Sequence, residues 1–169
     1  MSRDHPVRSA MEIKDLHADL SVRDGLLGIN NSSARETSML TREKFDRMIS
    51  LARVATFIEP SAAFLLAFAE DDEFDGGHFL WFRSRFDKFL YVDRVVVAED
   101  RRRLGLGRVL YADLFKRAEK LGHRSIVCEV NLQPTNPISD RFHTAQGFEE
   151  VGRATIENEA KTVRYLLRW

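Results

Sequence analysis

One stretch of the chain, VDRVVVAEDRRRLGLGRVLYADLFKRAEKLG at 92–122, limits the fold more than any other. It begins with an apolar, β-branched run, which predicts a strand that is buried on both faces and ends near Ala98. A turn with three consecutive arginines and two glycines follows, from Glu99 to Gly107. Apolar residues then recur at helical spacing, which predicts an amphipathic helix that begins near Arg108 and ends before Gly122. This order of elements is typical of α/β proteins.

Similar patterns along the rest of the chain predict a single domain over residues 1–169. Met11–Leu16 predicts a weak first strand, and Thr41 predicts the N-cap of a helix that ends near Arg53. The aromatic segment HFLWFRSRF predicts a short helix or an irregular segment, and residues 139–146 predict another short helix. Five further runs predict strands: VATFIE, SAAFLLAFAE, SIVCEV, FEEVGRATI and KTVRYLLRW. We therefore expect an α/β (α+β) fold with a mixed sheet of about six to seven strands flanked by helices.

The charge and composition disfavour several classes of protein. Lysine plus arginine and aspartate plus glutamate both total 26, so the net charge is zero and a broad nucleic-acid-binding surface is not expected. The longest apolar runs are too short to span a bilayer, and the charged segment 1–10 lacks the apolar core of a signal peptide. Cys128, the only cysteine, lies in an apolar run, which favours an inert thiol and a reducing compartment. We expect a cytoplasmic protein that binds no nucleic acid, membrane or metal ion, with a flexible segment 1–10.

The arginine–glycine turn has the components of an anion site. A helix N-terminus carries unpaired N–H groups and a partial positive charge, glycines let the backbone approach a ligand, and arginine adds hydrogen bonds to phosphate. Two common phosphate motifs do not match. The lysine of a P-loop is absent, and the third glycine of a dinucleotide-binding motif is missing after Gly107. The turn alone therefore leaves two interpretations: an anion site, or a solvated turn with no ligand.

Two motifs at the right separation favour the anion site. The turn sequence RRLGLG at 102–107 fits Arg/Gln-x-x-Gly-x-Gly/Ala, and the downstream string NPISDRFHTAQGFEEVG resembles Asn-x-x-Ala-x-x-x-Tyr-x-x-x-Gly-Phe. Over residues 91–152 the chain thereby resembles the GNAT superfamily of N-acetyltransferases. The resemblance implies a GNAT-like fold with two splayed central strands, and acetyl-CoA or another short acyl-CoA as the donor. It also implies an acyltransferase for a small-molecule or peptide amine, and it is compatible with a homodimer.

By the same resemblance, the coenzyme would lie along the central strand and the turn. Val95 and Val97 would pair through their backbone with the pantetheine arm, and Asn136 would bond to the same arm. The Arg102 side chain would assist in binding the pyrophosphate. The backbone N–H groups that would hold the pyrophosphate belong to Arg103, Leu104, Gly105, Leu106, Gly107 and Arg108.

The residue at the family's acid position departs from the pattern. Counted from Asn136, the motif tyrosine, which is the usual general acid for the leaving thiolate, falls on His143. A histidine with a pKa of about 6.5 can protonate a thiolate. Three interpretations stay open: His143 is the acid, water protonates the thiolate instead, or His143 is a surface residue of a short helix.

The general base is open between three alternatives. A lysine-type amine has a solution pKa of about 10.4, so a proton must leave before the amine attacks. Tyr91 and Asp93 share the period-two face of the central strand with Val95 and Val97, which would direct Asp93 towards the reacting centre. Glu129 on the neighbouring strand competes with Asp93, and the third alternative is that no dedicated base exists. Asp93 also has a structural alternative, an ion pair with a nearby arginine: Arg94 or Arg141.

The acceptor side is the least determined part of the sequence. Two segments are candidate substrate surfaces, and their residues are Asn30, Asn31, Arg35 and Glu36 in one and Trp81 and Phe82 in the other. Each segment also has a purely structural interpretation. The first is typical of a helix end, and the second is typical of a hydrophobic core. The leading hypothesis is an acetyl-CoA-dependent N-acyltransferase that works by direct attack in a ternary complex. The alternative is a non-catalytic CoA-binding or regulatory module of the same fold.

Overall fold

The structure, a computed structural model, describes residues 11–33, 37–133, 135–156, 158 and 160–169. Its strands are β1 (Lys14–Asp15), β2 (Val54–Ile58), β3 (Ala63–Ala69), β4 (Leu90–Val97), β5 (Ile126–Gln133), β6 (Glu149–Ile156) and β7 (Lys161–Arg168). They form one seven-stranded sheet in the order β1-β2-β3-β4-β5-β7-β6. β4 and β5 pair in parallel, whereas the other neighbours pair antiparallel. The predicted mixed sheet is therefore confirmed. Segment 1–10, for which flexibility was predicted, lies outside the described residues.

Helices cover both faces of this sheet. Within the described residues they are α1 (Arg23–Ser32), α2 (Arg42–Leu51), α3 (Gly77–Arg83), α4 (Leu106–Lys120) and α5 (Pro137–Ala145). Buried residues of α1, α2 and α3 form one core with strand residues such as Phe57 and Tyr91. Buried residues of α4 form a second core with Leu65 and Cys128, and Phe142 of α5 packs against it. We call the two sides of the sheet the α1–α3 face and the α4–α5 face.

Most element boundaries agree with the sequence prediction. Thr41 caps α2, and its hydroxyl accepts a hydrogen bond from the Lys44 N–H at 3.2 Å. The aromatic segment forms α3, as one of its two predicted alternatives. The helix after the glycine turn begins at Leu106, slightly ahead of the predicted Arg108. The weak first strand is reduced to Lys14–Asp15, the part that pairs with β2.

The parallel strands β4 and β5 separate after two residue pairs. Leu90 pairs with Ile126 and Tyr91 with Val127, and no further pair joins these two fully described strands. From that point β5 continues along β7, while β4 continues along β3. The result is a wedge-shaped opening between the two strands. The predicted splay of the two central strands is confirmed.

A β-bulge at Asp93 changes the face that β4 presents. Leu66 pairs with Arg94 and the next residue, Ala67, pairs with Val92, so Asp93 is the extra residue of the bulge. Adjacent residues in a regular strand point to opposite faces, but a bulge re-aims them. Arg94 Nε lies 2.7 Å from Asp93 Oδ2, so both side chains meet on one side.

The bulge also corrects one sequence prediction. Tyr91 belongs to the core of the α1–α3 face, whereas Val95 and Val97 pack against the core of the α4–α5 face. The four residues predicted to share one period-two face are therefore divided between two faces. The physical reason is the residue that the bulge inserts at Asp93, which shifts the alternation along the strand.

Candidate active site

The turn after β4 presents the N-terminus of α4 to solvent. Arg103 and Gly105 both have left-handed backbone conformations, with φ of 68° and 77°, and they reverse the chain into the helix. The helical bond nearest the N-terminus joins the Val109 N–H to the Gly105 carbonyl at 3.1 Å. The amides of Leu106, Gly107 and Arg108 therefore precede the helical ladder, and they are the kind of donor that holds an anion.

The two glycines of the turn differ in backbone conformation and in surroundings. Gly105 has a positive φ, which favours glycine over other residues. Gly107 has no such φ, and a Cβ there would lie 3.6 Å from the Phe142 ring, an ordinary contact distance. Neither backbone strain nor packing within the protein demands glycine at 107. A ligand held at the helix N-terminus would give glycine a function at 107, because the bare backbone lets a ligand approach closely.

Arg102 and Asn136 have protein partners at their predicted positions. Arg102 lies at the turn with its side chain exposed, and its Nη2 reaches the Ser33 hydroxyl at 3.4 Å. Asn136 is the N-cap of α5, where its Oδ1 accepts a hydrogen bond from the Ser139 N–H at 3.2 Å. Capping uses the carbonyl end of the Asn136 side chain, so the amide NH₂ is the end that a ligand could use.

A shallow groove adjoins the turn on its α1 side. Its volume is about 360 Å³, and it is lined by Ile29, Ser32, Ser33, Ala98, Glu99 and Asp100. The two carboxylates repel a phosphate, so this groove does not suit the pyrophosphate. The N-terminus of α4 instead offers N–H donors, which favour an anion.

Glu129 lies where β4 and β5 part, on the α1–α3 face. Its Oε2 accepts a hydrogen bond from the Tyr91 hydroxyl at 2.8 Å. Burial, with a smaller effect of the nearby Asp93 charge, raises the pKa of Glu129 to about 8, although the Tyr91 hydrogen bond opposes this rise. Glu129 thus has the protonation equilibrium of a base that works slightly above neutral pH.

Asp93 is paired with Arg94, as its structural alternative predicted. The side chains are 12% and 7% exposed, and Arg94 Nη1 also donates to Asn30 Oδ1 at 2.8 Å. Arg94 thereby connects the carboxylate of Asp93 to the end of α1. Of the two carboxylates, Glu129 is the one that has no arginine partner among the hydrogen bonds and ion pairs of the described residues, so it is the better candidate for the base.

The predicted substrate residues of α1 are occupied within the protein. Asn30 is fully buried, and its amide donates to Asn31 Oδ1 and to the Ser38 carbonyl, both at 3.0 Å. Asn31 makes two hydrogen bonds with the backbone of Leu40. Both asparagines therefore organise the segment between α1 and α2 and do not point to a substrate. Arg35 and Glu36, predicted beside them, lie outside the described residues.

The aromatic segment contributes one wall residue and one core residue. Phe82 is 0% exposed and packs in the core of the α1–α3 face, so burial removes it from any substrate surface. Trp81 is partly exposed and stacks on Tyr165 with a centroid distance of 3.9 Å. The Tyr165 hydroxyl lies 3.0 Å from His78 Nδ1. Tyr165 also pairs across the strands with Glu129, so this aromatic wall borders the candidate base.

His143 is partly buried, and its ring packs against Tyr111 and Phe148 of the α4–α5 face. Its Nδ1 lies 2.7 Å from the Ser139 carbonyl oxygen, and its Nε2 lies 3.1 Å from the Tyr111 hydroxyl. Burial lowers the pKa of His143. These contacts favour a ring that is held against the protein over a fully solvated one, and the role of His143 stays a prediction. Cys128 lies nearby, and burial raises the pKa of its thiol well above its usual range, which fits the predicted inert thiol.

A family model decides the relationship of the chain to known proteins. The model of the acetyltransferase (GNAT) family matches residues 30–148. The chain belongs to the GNAT family. This match confirms the resemblance that was drawn from the two motifs, and it makes the protein an acyltransferase by family. No curated protein sequence matches the chain.

Solved structures of GNAT proteins share the fold of this chain. An N-acetyltransferase from Staphylococcus aureus Mu50 has a TM-score of 0.70 at 14% identity, over 95% of this chain and 98% of that one. The yncA protein of Salmonella typhimurium, solved with its cofactor acetyl-CoA, has a TM-score of 0.67 at 17% identity, over 95% and 94%. The ribosomal-protein-S18-alanine N-acetyltransferase of Escherichia coli has a TM-score of 0.64 at 16% identity, over 92% and 91%. At such identities the likeness establishes the fold.

Sequence reasoning missed three residues that contact the candidate site residues or their neighbours: His78, Tyr111 and Tyr165. Tyr165 is on a strand far along the chain from Glu129, and only the strand pairing brings the two together. Tyr111 was hidden among the apolar positions of the amphipathic helix, where an aromatic residue normally signals core. Among the described residues, no helix has the length and apolar character that crossing a membrane requires. In that same part of the chain, histidines, cysteines and carboxylates form no group of three that could hold a metal.

Proposed function

We propose that the protein transfers an acetyl group from acetyl-CoA to an amine by direct attack within a ternary complex. The observation that carries this proposal is the wedge between β4 and β5. A cradle of helix amides lies beyond the C-terminal end of one wall, and Glu129 lies where the walls meet. A thioester arm along the wedge and an amine beside Glu129 would approach each other there.

The donor is supported by the family and by the fit of the residues. The amides of 103–108 would hold the pyrophosphate, Arg102 would add charge, and Val95, Val97 and Asn136 would bind the arm. Acetyl-CoA supplies an activated acetyl group as its thioester. The acetyl-CoA structure of the yncA protein supports this donor for a chain of the same fold.

Glu129 would serve as the general base. Above pH 8 its carboxylate is mainly ionised, and it can take a proton from an acceptor ammonium directly or through one water. The Tyr91 hydroxyl holds Oε2 and orients the carboxylate. Asp93 raises the pKa of Glu129 and so makes it a stronger base, while Arg94 fixes Asp93 in place. A covalent route through Cys128 is disfavoured, because burial keeps that thiol protonated.

The acceptor would be a small-molecule or peptide amine. The E. coli relative acts, by its name, on an alanine of ribosomal protein S18, which supports a peptide acceptor. Trp81 borders Glu129 through Tyr165 and would form one wall of the acceptor site. The bonds of Asn30 and Asn31 within the chain leave those residues in a supporting role.

A non-catalytic CoA-binding module is the second candidate. One observation favours it: His143, at the family's acid position, uses both ring nitrogens for bonds within the protein. Such a module would bind the coenzyme without releasing its thiol in the presence of an amine. The two functions therefore separate by measurement of free thiol.

The test begins with thermal unfolding in the presence of acetyl-CoA, followed by thiol release with a panel of small amines and peptides. A donor site predicts a rise in Tm with acetyl-CoA, because a ligand that binds the folded state stabilises it. Gly107→Asp should abolish the rise, since the carboxylate fills the cradle and repels phosphate. Gly77→Asp is the matched control, because Gly77 begins α3 and nothing lies within 4 Å of a Cβ there. If Gly107→Asp kept the full rise, the cradle would be misassigned.

A further inference from the structure

The hydrogen bonds of His143 fix where its proton lies. Its Nδ1 is 2.7 Å from the Ser139 carbonyl oxygen, which can only accept, so Nδ1 carries the hydrogen. Burial lowers the pKa of the ring and so favours its neutral form, in which Nε2 has no hydrogen. The Tyr111 hydroxyl, 3.1 Å from Nε2, must therefore be the donor in that bond. His143 has no ring proton left to give, whereas Tyr111 has one.

Tyr111 is buried in the core of the α4–α5 face. It follows Gly107 by one helical turn, its ring is 1% exposed, and Phe142 and Phe148 pack against that ring. Its hydroxyl lies beside the Cys128 thiol. Cys128 comes directly after Val127, the residue at which β4 and β5 stop pairing, so the hydroxyl reaches the point where the two strands part.

Tyr111 and Glu129 flank this point from opposite sides of the sheet. Glu129 belongs to the α1–α3 face with Tyr91, and Tyr111 belongs to the α4–α5 face with Cys128. An acyl transfer from a thiol to an amine needs such a separation, because one proton leaves the amine and another must reach the sulphur. The fold supplies an acceptor of protons on one side and a donor on the other.

We propose that Tyr111, positioned by His143, is the proton donor to the sulphur of departing coenzyme A. This assignment rests on the proposed function and changes the role expected for His143 from acid to positioning residue. The Tyr111 O–H bond breaks as the S–H bond forms. Burial raises the pKa of the Tyr111 hydroxyl well above its usual range in the free protein, so the phenolate that remains takes a proton back from water once the thiol has left and opened the site. Glu129 takes the proton that the amine loses.

The geometry around the pair suits this exchange. The hydroxyl hydrogen of Tyr111 can rotate about the C–O bond. In the free protein it is hydrogen-bonded to Nε2 of His143, and after rotation it could point to a coenzyme A sulphur beside it. The charged groups nearest His143 are Asp140 of its own helix and Arg164 of β7, which form an ion pair with each other. Neither offers the sulphur a proton, because the two side chains are engaged with each other and an arginine does not release its proton.

The test uses coenzyme A itself, whose bound thiolate is followed by ultraviolet absorbance as pH rises. Tyr111→Phe should raise the pH of thiolate formation by about one unit, because the hydroxyl no longer donates to the sulphur. His143→Leu should shift it in the same direction. His143→Gln, whose amide oxygen can accept from Tyr111, should return towards wild type. In acetyl transfer, Tyr111→Phe should lower kcat by at least about tenfold and leave KM for acetyl-CoA nearly unchanged.

Two results would overturn the assignment. If Tyr111→Phe left the thiol titration and kcat unchanged while His143→Gln lost kcat, the acid would be His143. If no variant changed either quantity, the proton would come from solvent. Melting with and without coenzyme A confirms that each variant is folded, and the two His143 variants decide the matter if Tyr111→Phe does not fold. Failure of the wild-type protein to bind coenzyme A would instead refute the proposed function.

Discussion

The Tyr91 hydroxyl of β4 donates a hydrogen bond to Glu129 Oε2 of β5 at 2.8 Å, at the point where these two parallel strands part. The bond joins the strands beyond their last backbone pair. It also stabilises the charged form of a carboxylate whose pKa burial raises to about 8. The position and the basicity of Glu129 therefore depend on the same contact.

Removal of the Tyr91 hydroxyl should make Glu129 harder to ionise. Because the hydrogen bond lowers the pKa of Glu129, Tyr91→Phe should shift the rising limb of the pH–rate profile to higher pH. We expect the rate near pH 7 to fall by roughly threefold to tenfold. Tyr165→Phe is the control, since the Tyr165 hydroxyl lies 3.0 Å from His78 Nδ1 and forms no hydrogen bond to Glu129 among the described contacts. An equal shift in both variants would exclude a specific role for Tyr91.

Neutralisation of Asp93 should lower the pKa of Glu129, in contrast to Tyr91→Phe, and it should also destabilise the protein. The charge of Asp93 raises the pKa of Glu129, so Asp93→Asn should move the rising limb to lower pH. The change also leaves the buried Arg94 guanidinium without its carboxylate. We expect a loss of roughly 3–5 kcal/mol in the free energy of unfolding, measured by urea titration. Glu150→Gln, which weakens the more exposed pairs with Arg153 and Arg164, should cost clearly less.

Glu129 should make the stability of the protein fall as pH rises. Its pKa is about 8 in the folded protein and 4.5 for an ordinary glutamate, so the folded state binds the extra proton between these values. Stability therefore decreases with pH from about 4.5 to about 8 and then levels off. Glu129→Gln cannot ionise at this position and so removes this loss. Relative to wild type, its free energy of unfolding should therefore rise by on the order of a few kcal/mol between these two pH values. The gain is reduced by the partial exposure of the carboxyl. Urea titrations of both proteins at pH 5 and pH 8 measure the change. The prediction would be contradicted if the difference in unfolding free energy between the two proteins were the same at both pH values.

A methyl group at position 152 should displace the aromatic wall. A Cβ on Gly152 would lie 2.6 Å from the Trp81 ring, too close for any real contact. Gly152→Ala should therefore move the indole off Tyr165, at a cost of about 1–3 kcal/mol. In a Trp169→Phe background Trp81 is the only tryptophan, so its fluorescence should shift to longer wavelength. Gly28→Ala, where nothing lies within 4 Å of a Cβ, is the control.

The local part of the site was predictable from sequence. The turn from Arg102 to Gly107 forms within a short segment, and its glycine spacing and helix start depend on neighbours in the chain. The cap at Thr41 and the buried state of Cys128 follow from similarly local signals. Such features are fixed by backbone conformation and by runs of apolar residues.

The bulge at Asp93 and the contacts across the sheet were not predictable. A period-two pattern assumes a regular strand, so one inserted residue moved Tyr91 and Val95 to opposite faces. The partner of Arg94 is Asn30, which is distant in sequence and was assigned to the substrate because it is polar. His143 was identified by its motif position, but its contact with Tyr111 depends on the packing of α4 against α5. Each of these outcomes comes from packing between remote segments.

The most direct test of acetyl transfer with Glu129 as base is the pH dependence of coenzyme A release. Wild type and Glu129→Gln would be compared from pH 6 to pH 10 with the same amine, after melting shifts have shown that both bind acetyl-CoA. We expect the wild-type rate to rise with pH and to level off above about pH 8. Glu129→Gln should lose about 10²-fold or more at the plateau, along with the rise itself. Equal rates and equal profiles for the two proteins would contradict the role of Glu129.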